Sequence, residues 1–433
     1  MLLTRLLRDL IGPAAVMAAG TMGAGAIASF LLAGAWFRYE LLWVLLLMLP
    51  LFVASADSAS RLGALNPHTG MLSLVGRWLH PALAWLILLL VVPVHFLVSM
   101  GQLSVMSSAL FSLTGLGESA LTQDLRVAVP LSVALAAAVL WLVFSRGYER
   151  LQRVMTLLMV LMFLCFLMVA LRGLSEWRAI LPGFVPALPA DLPLPGGNSV
   201  RVASTSIIAM VGAAIAPAAL LGLPYLCADA GADSHQLRQA LRQSVLNLGL
   251  IFGAYAFFVL VAGAFALYPL PEHAGFEDVS QAAEVLRAAL PTAVAFLGPM
   301  IFSLGLFIAA MTTLVVAAQV TVYLMLDAFG KPWRFSADNR GFHVLLAIFV
   351  LGAAALAPLW SFPALLKVIL LMGINVVVIP LVYLILIVLI NTPGVMVEHT
   401  AGRWRNAFLF TGLLLSLGLA VHKAPQYYHL LTT

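Results

Sequence analysis

Apolar runs long enough to cross a bilayer recur from about residue 11 to residue 422, with few charged residues between them. A run of about 20 apolar residues spans the hydrocarbon layer as a helix. In that layer every backbone N–H and C=O must find a partner inside the protein. The chain is thereby restricted to an all-α integral membrane bundle surrounded by lipid. Composition agrees. Of 433 residues, 63% are hydrophobic and 9% charged, with mean hydropathy +1.08. That is too little charge to cover a water-exposed surface.

Eleven spans are predicted, at about 11–36, 41–61, 80–113, 127–145, 153–172, 202–226, 243–268, 292–328, 342–360, 363–390 and 406–422. The third and eighth are long enough to tilt or to extend beyond the bilayer. No extended polar segment marks a second domain, so 1–433 reads as one membrane domain. The longest connection, Gly173 to Asn198, carries five prolines and reads as an extended cap.

With loops assigned alternately to the two sides, fourteen of the 22 Lys and Arg residues share the side of the N-terminus, Arg61, Arg146 and Lys331 among them. Eight, including Arg38, Arg172 and Lys367, fall on the other. Positive residues collect in cytoplasmic loops. The bias predicts a cytoplasmic N-terminus and an outside C-terminus, in a bacterial inner membrane. The net charge of +5 belongs to this signal and implies no nucleic-acid partner. Cys165 and Cys227 lie in or beside apolar spans, which argues against a disulfide framework and against a thiolate metal site. The apolar run after Arg5 and Arg8 continues to about residue 36, so it reads as a first span and not as a signal peptide.

Two spans are interrupted. The first contains Thr21-Met22-Gly23-Ala24-Gly25-Ala26, and the sixth contains Gly212-Ala213-Ala214-Ile215-Ala216-Pro217. Pro217 lacks an amide donor and clashes with the preceding turn, so the helix must kink or unwind there. Paired glycine- or proline-interrupted segments in matching positions of two halves point to a transporter's binding site. They imply a five-plus-five inverted repeat, with halves at 11–172 and 202–390 and an extra helix at 406–422. The candidate substrate-binding positions are Gly23, Ala24, Gly25, Ala26, Ala213, Ala214, Ala216 and Pro217. Ala28, Ala33 and Ala35 read instead as small residues that let helices pack closely.

At these residues the chain resembles the natural-resistance-associated macrophage protein (Nramp) family. The resemblance runs through Gly12-Pro13-Ala14, Ala33-Gly34-Ala35, Leu41-Leu42-Trp43, Gly212-Ala213 with Pro217, Phe302 to Gln319, and Ile379-Pro380-Leu381. It implies a LeuT-type fold with eleven helices and, from the family, proton-coupled import of manganese, iron and related divalent ions. The family's first break reads Asp-Pro-Gly-Asn, and its Asp and Asn bind the metal. Those positions are Gly23 and Ala26 here, Ala24 replaces the proline, and Gly25 matches. The family's Met-Pro-His in the sixth span falls on Ala216, Pro217 and Ala218. Its acidic pair in the third span falls on Ser99 and Gln102, and a glutamine of the tenth span on Gly373.

Polar residues inside the spans are the other candidates. Asp57 stands four residues from Arg61, the spacing of a helical ion pair; the competing reading is a proton site. His95 could carry a proton near neutral pH or serve as a hydrogen-bonded structural residue. Ser99, Gln102, Ser104, Ser107 and Ser108 make one stretch of the third span polar, either as a water-filled path or as bonds between helices. Asn375 sits mid-membrane and is a candidate to touch substrate. Thr312, Thr313, Gln319 and Thr321 are left open. Lys367 can snorkel to the surface.

The expected function is secondary transport of a small solute by alternating access, with the transition-metal site lost, so that manganese and iron are excluded. A small organic solute held by backbone groups of the two breaks is the leading substrate. The alternatives are a divalent transporter for a hydrated ion such as magnesium, and a non-transporting receptor or scaffold. Coupling to protons is an open possibility. No metal-protease, acid–base or nucleophile motif is present, so neither an enzyme nor a cofactor is expected.

Overall fold

The computed structural model describes residues 13–114, 124–145, 157, 160, 163, 164, 166–193, 200–231, 235, 237–268, 295–336, 338–360, 362 and 364–432. The first predicted span is two helices, α1 (Pro13–Thr21) and α2 (Ala24–Phe37). Next come α3 (Trp43–Leu65), the short α4 (Met71–Trp78), α5 (Pro81–Thr114) and α6 (Leu125–Ser145). Of the fifth predicted span, residues 157, 160, 163, 164 and 166–172 are described, and these are helical. A two-residue antiparallel pair, β1 (Leu192–Pro193) with β2 (Val200–Arg201), closes the loop before the sixth span, with Leu192 opposite Arg201. That span is again two helices, α7 (Ala203–Ala214) and α8 (Pro217–Asp229). Helix α9 (Leu237–Ser244) runs through a π-helical turn at Val245–Ile251 into α10 (Phe252–Ala266). Then follow α11 (Leu297–Ala328), α12 (Arg340–Leu356), α13 (Ala364–Ile390) and α14 (Arg403–Thr432).

Nine helices among the described residues are long and apolar enough to cross a membrane. They correspond to every predicted span except the broken first and the fifth. Helices α5 and α11, of 34 and 32 residues, are about 50 Å long at 1.5 Å per residue. That exceeds the roughly 30 Å hydrocarbon layer. Outward-facing apolar side chains such as Leu89 (72% exposed) and Leu414 (68%) suit a lipid surface and not water.

The two breaks have different local causes. Helix α1 ends where the Thr21 hydroxyl turns back and donates to Met17 O (2.9 Å) and Ala18 O (3.0 Å). Gly23 is extended (φ −73°, ψ 179°) and starts α2 with no side-chain cap. In the sixth span Ala216 is extended (φ −64°, ψ 133°), the conformation that a following proline imposes, and Pro217 opens α8.

Packing then holds the pieces. The long α5 and α11 lie against each other, and α2 lies on α10. A side chain on Gly34 would strike Leu260 O, and one on Gly263 would strike Leu31 O. The α2 and α10 backbones are therefore in direct contact, as small residues allow in membranes. Phe30 and Phe52 both meet Phe252 edge to face in the core beside this crossing.

Each end of the bundle carries a polar tie. At one end Asp327 of α11 accepts from Leu72 N (2.8 Å), Ser73 N (3.1 Å) and Tyr225 Oη (2.6 Å), joining α11, α4 and α8. At the other, Arg38 and Tyr39 donate to Glu176 at 3.0 and 2.9 Å, and Trp43 Nε1 donates to Ala187 O. Burial, and then the bond to Glu176, push the Tyr39 hydroxyl above its ordinary pKa. The proline-rich loop thus lies over the start of α3, as a cap would.

Candidate functional site

Both helix breaks face one buried cavity of about 40 Å³, room for about three water molecules. Its wall takes Met17, Gly20 and Thr21 from α1, Gly23 from the first break, and Gly25 and Ala26 from α2. Ala213, Ala216, Ala218 and Ala219 come from the second break and its flanks. His95 and Val98 come from α5, Thr313, Val316 and Ala317 from α11, and Met372 and Asn375 from α13. The uncapped N-termini of α2 and α8 and the C-terminal ends of α1 and α7 adjoin this space, so helix ends of both signs border it. Among the described residues the wall holds no carboxylate and no thiol. Among the described residues no three His, Cys, Asp or Glu side chains cluster so as to hold a metal.

Thr313 explains the glycine at the first break. Its hydroxyl donates to Gly20 O at 2.8 Å, satisfying a carbonyl at the end of α1. Its oxygen stands where a Cβ on residue 23 would have to go. Only glycine fits opposite Thr313.

His95 is fully buried, with Nδ1 2.8 Å from Thr321 Oγ1. The Thr321 hydroxyl donates its single proton to Ala317 O, also at 2.8 Å. With that proton on Ala317 O, Thr321 is free to accept from the ring, which fits the neutral tautomer protonated on Nδ1. In that tautomer the lone pair is on Nε2, which has no partner among the described residues. Asn375 is arranged alike. Its Nδ2 donates to Gly212 O (3.5 Å) and to the Met372 sulfur (3.8 Å), which leaves Oδ1 unpartnered. The Met372 side chain lies over Gly25.

Of the residues singled out from sequence, Gly23, Gly25, Ala26, Ala213, Ala216, Asn375 and His95 meet at this cavity. Ala24, Ala214 and Pro217 belong to the breaks but not to the wall. Ser99 donates back to His95 O (2.8 Å), and Gln102 is buried with neither amide atom partnered; neither reaches the cavity. Asp57 is elsewhere. It pairs with Arg61 at 2.9 Å, the spacing expected four residues on, and with Arg405 of α14 at 2.8 Å, beside a separate groove. Lys367 does not snorkel: it is buried and donates to Ser104 (3.1 Å). Met17, Met372 and Thr313 are wall residues that the sequence did not single out as binding positions. The available signal was spacing, Met17 with Thr21 and Met372 with Asn375 each sharing a helix face.

Residues 14–424 match the family described as natural resistance-associated macrophage protein-like. The chain belongs to the Nramp family. A relative named divalent metal cation transporter MntH, from Brucella suis biovar 1 (strain 1330), is 25% identical over 346 residues, covering 76% of this chain and 70% of that one. The Eremococcus coleocola manganese transporter, solved with an aromatic bis-isothiourea substituted compound, superposes with TM-score 0.72 at 17% identity, over 95% of this chain and 85% of that one. MhsT in complex with L-phenylalanine superposes with TM-score 0.64 at 14% identity, over 95% of this chain and 96% of that one. The Nramp-family chain thus has the LeuT-type fold and is an integral membrane transporter.

Proposed function

We propose that the chain is a secondary active transporter that moves a small solute by alternating access, and that this solute is neither manganese nor iron. One observation carries the reading: two helix breaks face a buried cavity whose wall, among the described residues, holds no carboxylate or thiol. The Brucella suis relative is named for divalent metal cations, and the Eremococcus coleocola one for manganese. At the positions where the resemblance puts metal ligands, Gly23, Ala26 and Ala216 offer backbone only. A divalent ion stripped of water needs several donors and compensating negative charge. Neutral donors alone leave two charges uncompensated at bilayer depth, at large cost. A cavity of about 40 Å³ also favours a small occupant. His95, the titratable side chain of the wall, is the proposed carrier of any coupled proton. The two repeats, 11–172 and 202–390, are the proposed moving halves.

The test is manganese uptake by proteoliposomes holding the purified protein, read with a trapped metal-sensitive dye against empty vesicles. No saturable uptake is expected at any concentration. Saturable uptake above the empty vesicles would overturn the exclusion of manganese.

A further inference from the structure

We propose that the cavity at the two helix breaks is a site for a soft monovalent cation of the copper(I) and silver(I) class, held by His95 Nε2 and the Met372 thioether, with Asn375 Oδ1 beside them. The proposal rests on the transport reading above and names the substrate class for the same site.

The sign of the ligand follows from which side-chain atoms are free. Two buried side chains of the wall each keep one polar atom without a partner, His95 Nε2 and Asn375 Oδ1. Both are acceptors. The hydrogen of the neutral His95 ring is committed to Thr321, and the Asn375 amide hydrogens to Gly212 O and the Met372 sulfur. Among the described residues no Lys or Arg lines the wall to balance an anion. A buried acceptor without a donor is costly, and a cation satisfies both atoms.

The valence follows from the missing carboxylates. The cost of burying an ion grows with the square of its charge, so a single charge meets about a quarter of the penalty of a divalent one. Neutral donors can hold the first where they fail the second. The identity follows from donor softness. Thioether sulfur selects copper(I), and imidazole also suits copper. The Met372 sulfur lies against Gly25 at the first break, and Met17 lines the same cavity. The imidazole is held as a ligating histidine requires, its other nitrogen fixed by a second-layer oxygen. That oxygen, Thr321 Oγ1, is itself anchored on Ala317 O. Thr321 is a positioning residue.

The experiment uses the full chain carrying Cys165→Ser and Cys227→Ser, because silver(I) binds thiols, purified in detergent and dialysed against silver(I). Metal per chain is counted by mass spectrometry. A single tight silver ion per chain is expected, undisturbed by excess sodium or potassium. Met372→Leu, which keeps the volume, and His95→Leu should each weaken it at least about tenfold, and Thr321→Val by about tenfold with both ligands in place. Absence of binding by monodisperse protein would overturn the proposal. So would silver binding indifferent to the Met372 and His95 substitutions, or displacement by sodium, which would mark an oxygen site. None of these results bears on manganese uptake, and binding in detergent needs no transport, so the two readings fail separately.

Discussion

Thr313 governs what can stand at the first break. Its oxygen occupies the place of a residue-23 side chain, while its proton closes the end of α1. Gly23→Ala should therefore overpack the site and destabilise the protein by about 1–3 kcal/mol. The double substitution Gly23→Ala, Thr313→Ala should recover much of that loss, since it removes the colliding oxygen. Thermal unfolding in detergent measures both. Equal stability of Gly23→Ala and the unsubstituted chain would show that Thr313 moves aside freely. The same collision means that a carboxylate cannot be restored at residue 23 by one substitution. That Gly23 marks a break was legible in the sequence, because glycine punctuates helices locally. Why it must be glycine was not, because Thr313 is 293 positions from its partner Gly20. His95 was legible as a buried ionisable group. The direction of its free nitrogen depends on the Thr321–Ala317 bond of another helix.

Elements were more legible than contacts. Hydropathy located the nine long spans of the described residues, and proline or glycine chemistry located both interruptions. The π-helical turn at Val245–Ile251 falls inside a run that reads as uninterrupted helix. Helix α4 was missed because eight residues between two spans are shorter than the length that hydropathy detects. Its place depends on Asp327, which accepts two of its first N–H groups and the Tyr225 hydroxyl. A carboxylate at a helix N-terminus satisfies donors that the helix leaves unpaired. Asp327→Ala should leave those buried donors without a partner and cost about 1–3 kcal/mol. Asp327→Asn, which keeps one acceptor oxygen, should cost less. Thermal unfolding of the two variants tests this order. An alanine variant as stable as the parent would show that water or a neighbour replaces the carboxylate.

Orientation belongs to the whole molecule. A bundle built from two halves related by inversion presents similar helix ends to both sides of the membrane, so packing alone does not choose a direction. The distribution of positive residues does, because short loops rich in Lys and Arg stay cytoplasmic. With the eleven predicted spans the termini fall on opposite sides, and the assignment puts fourteen of the 22 basic residues on the N-terminal side. The exposed loop residue His68 stands at the Arg61 end of α3, and the exposed Ala190 lies in the loop over the start of that helix. In a chain with Cys165 and Cys227 replaced by Ser, a cysteine at Ala190 should react with an impermeant maleimide in intact cells. A cysteine at His68 should react only after the membrane is opened. The reverse pattern would place the N-terminus outside. The Asp327 tie would then close the outer end of the bundle and the Glu176 tie the inner one, so the same labelling also says which tie a solute entering from outside must pass.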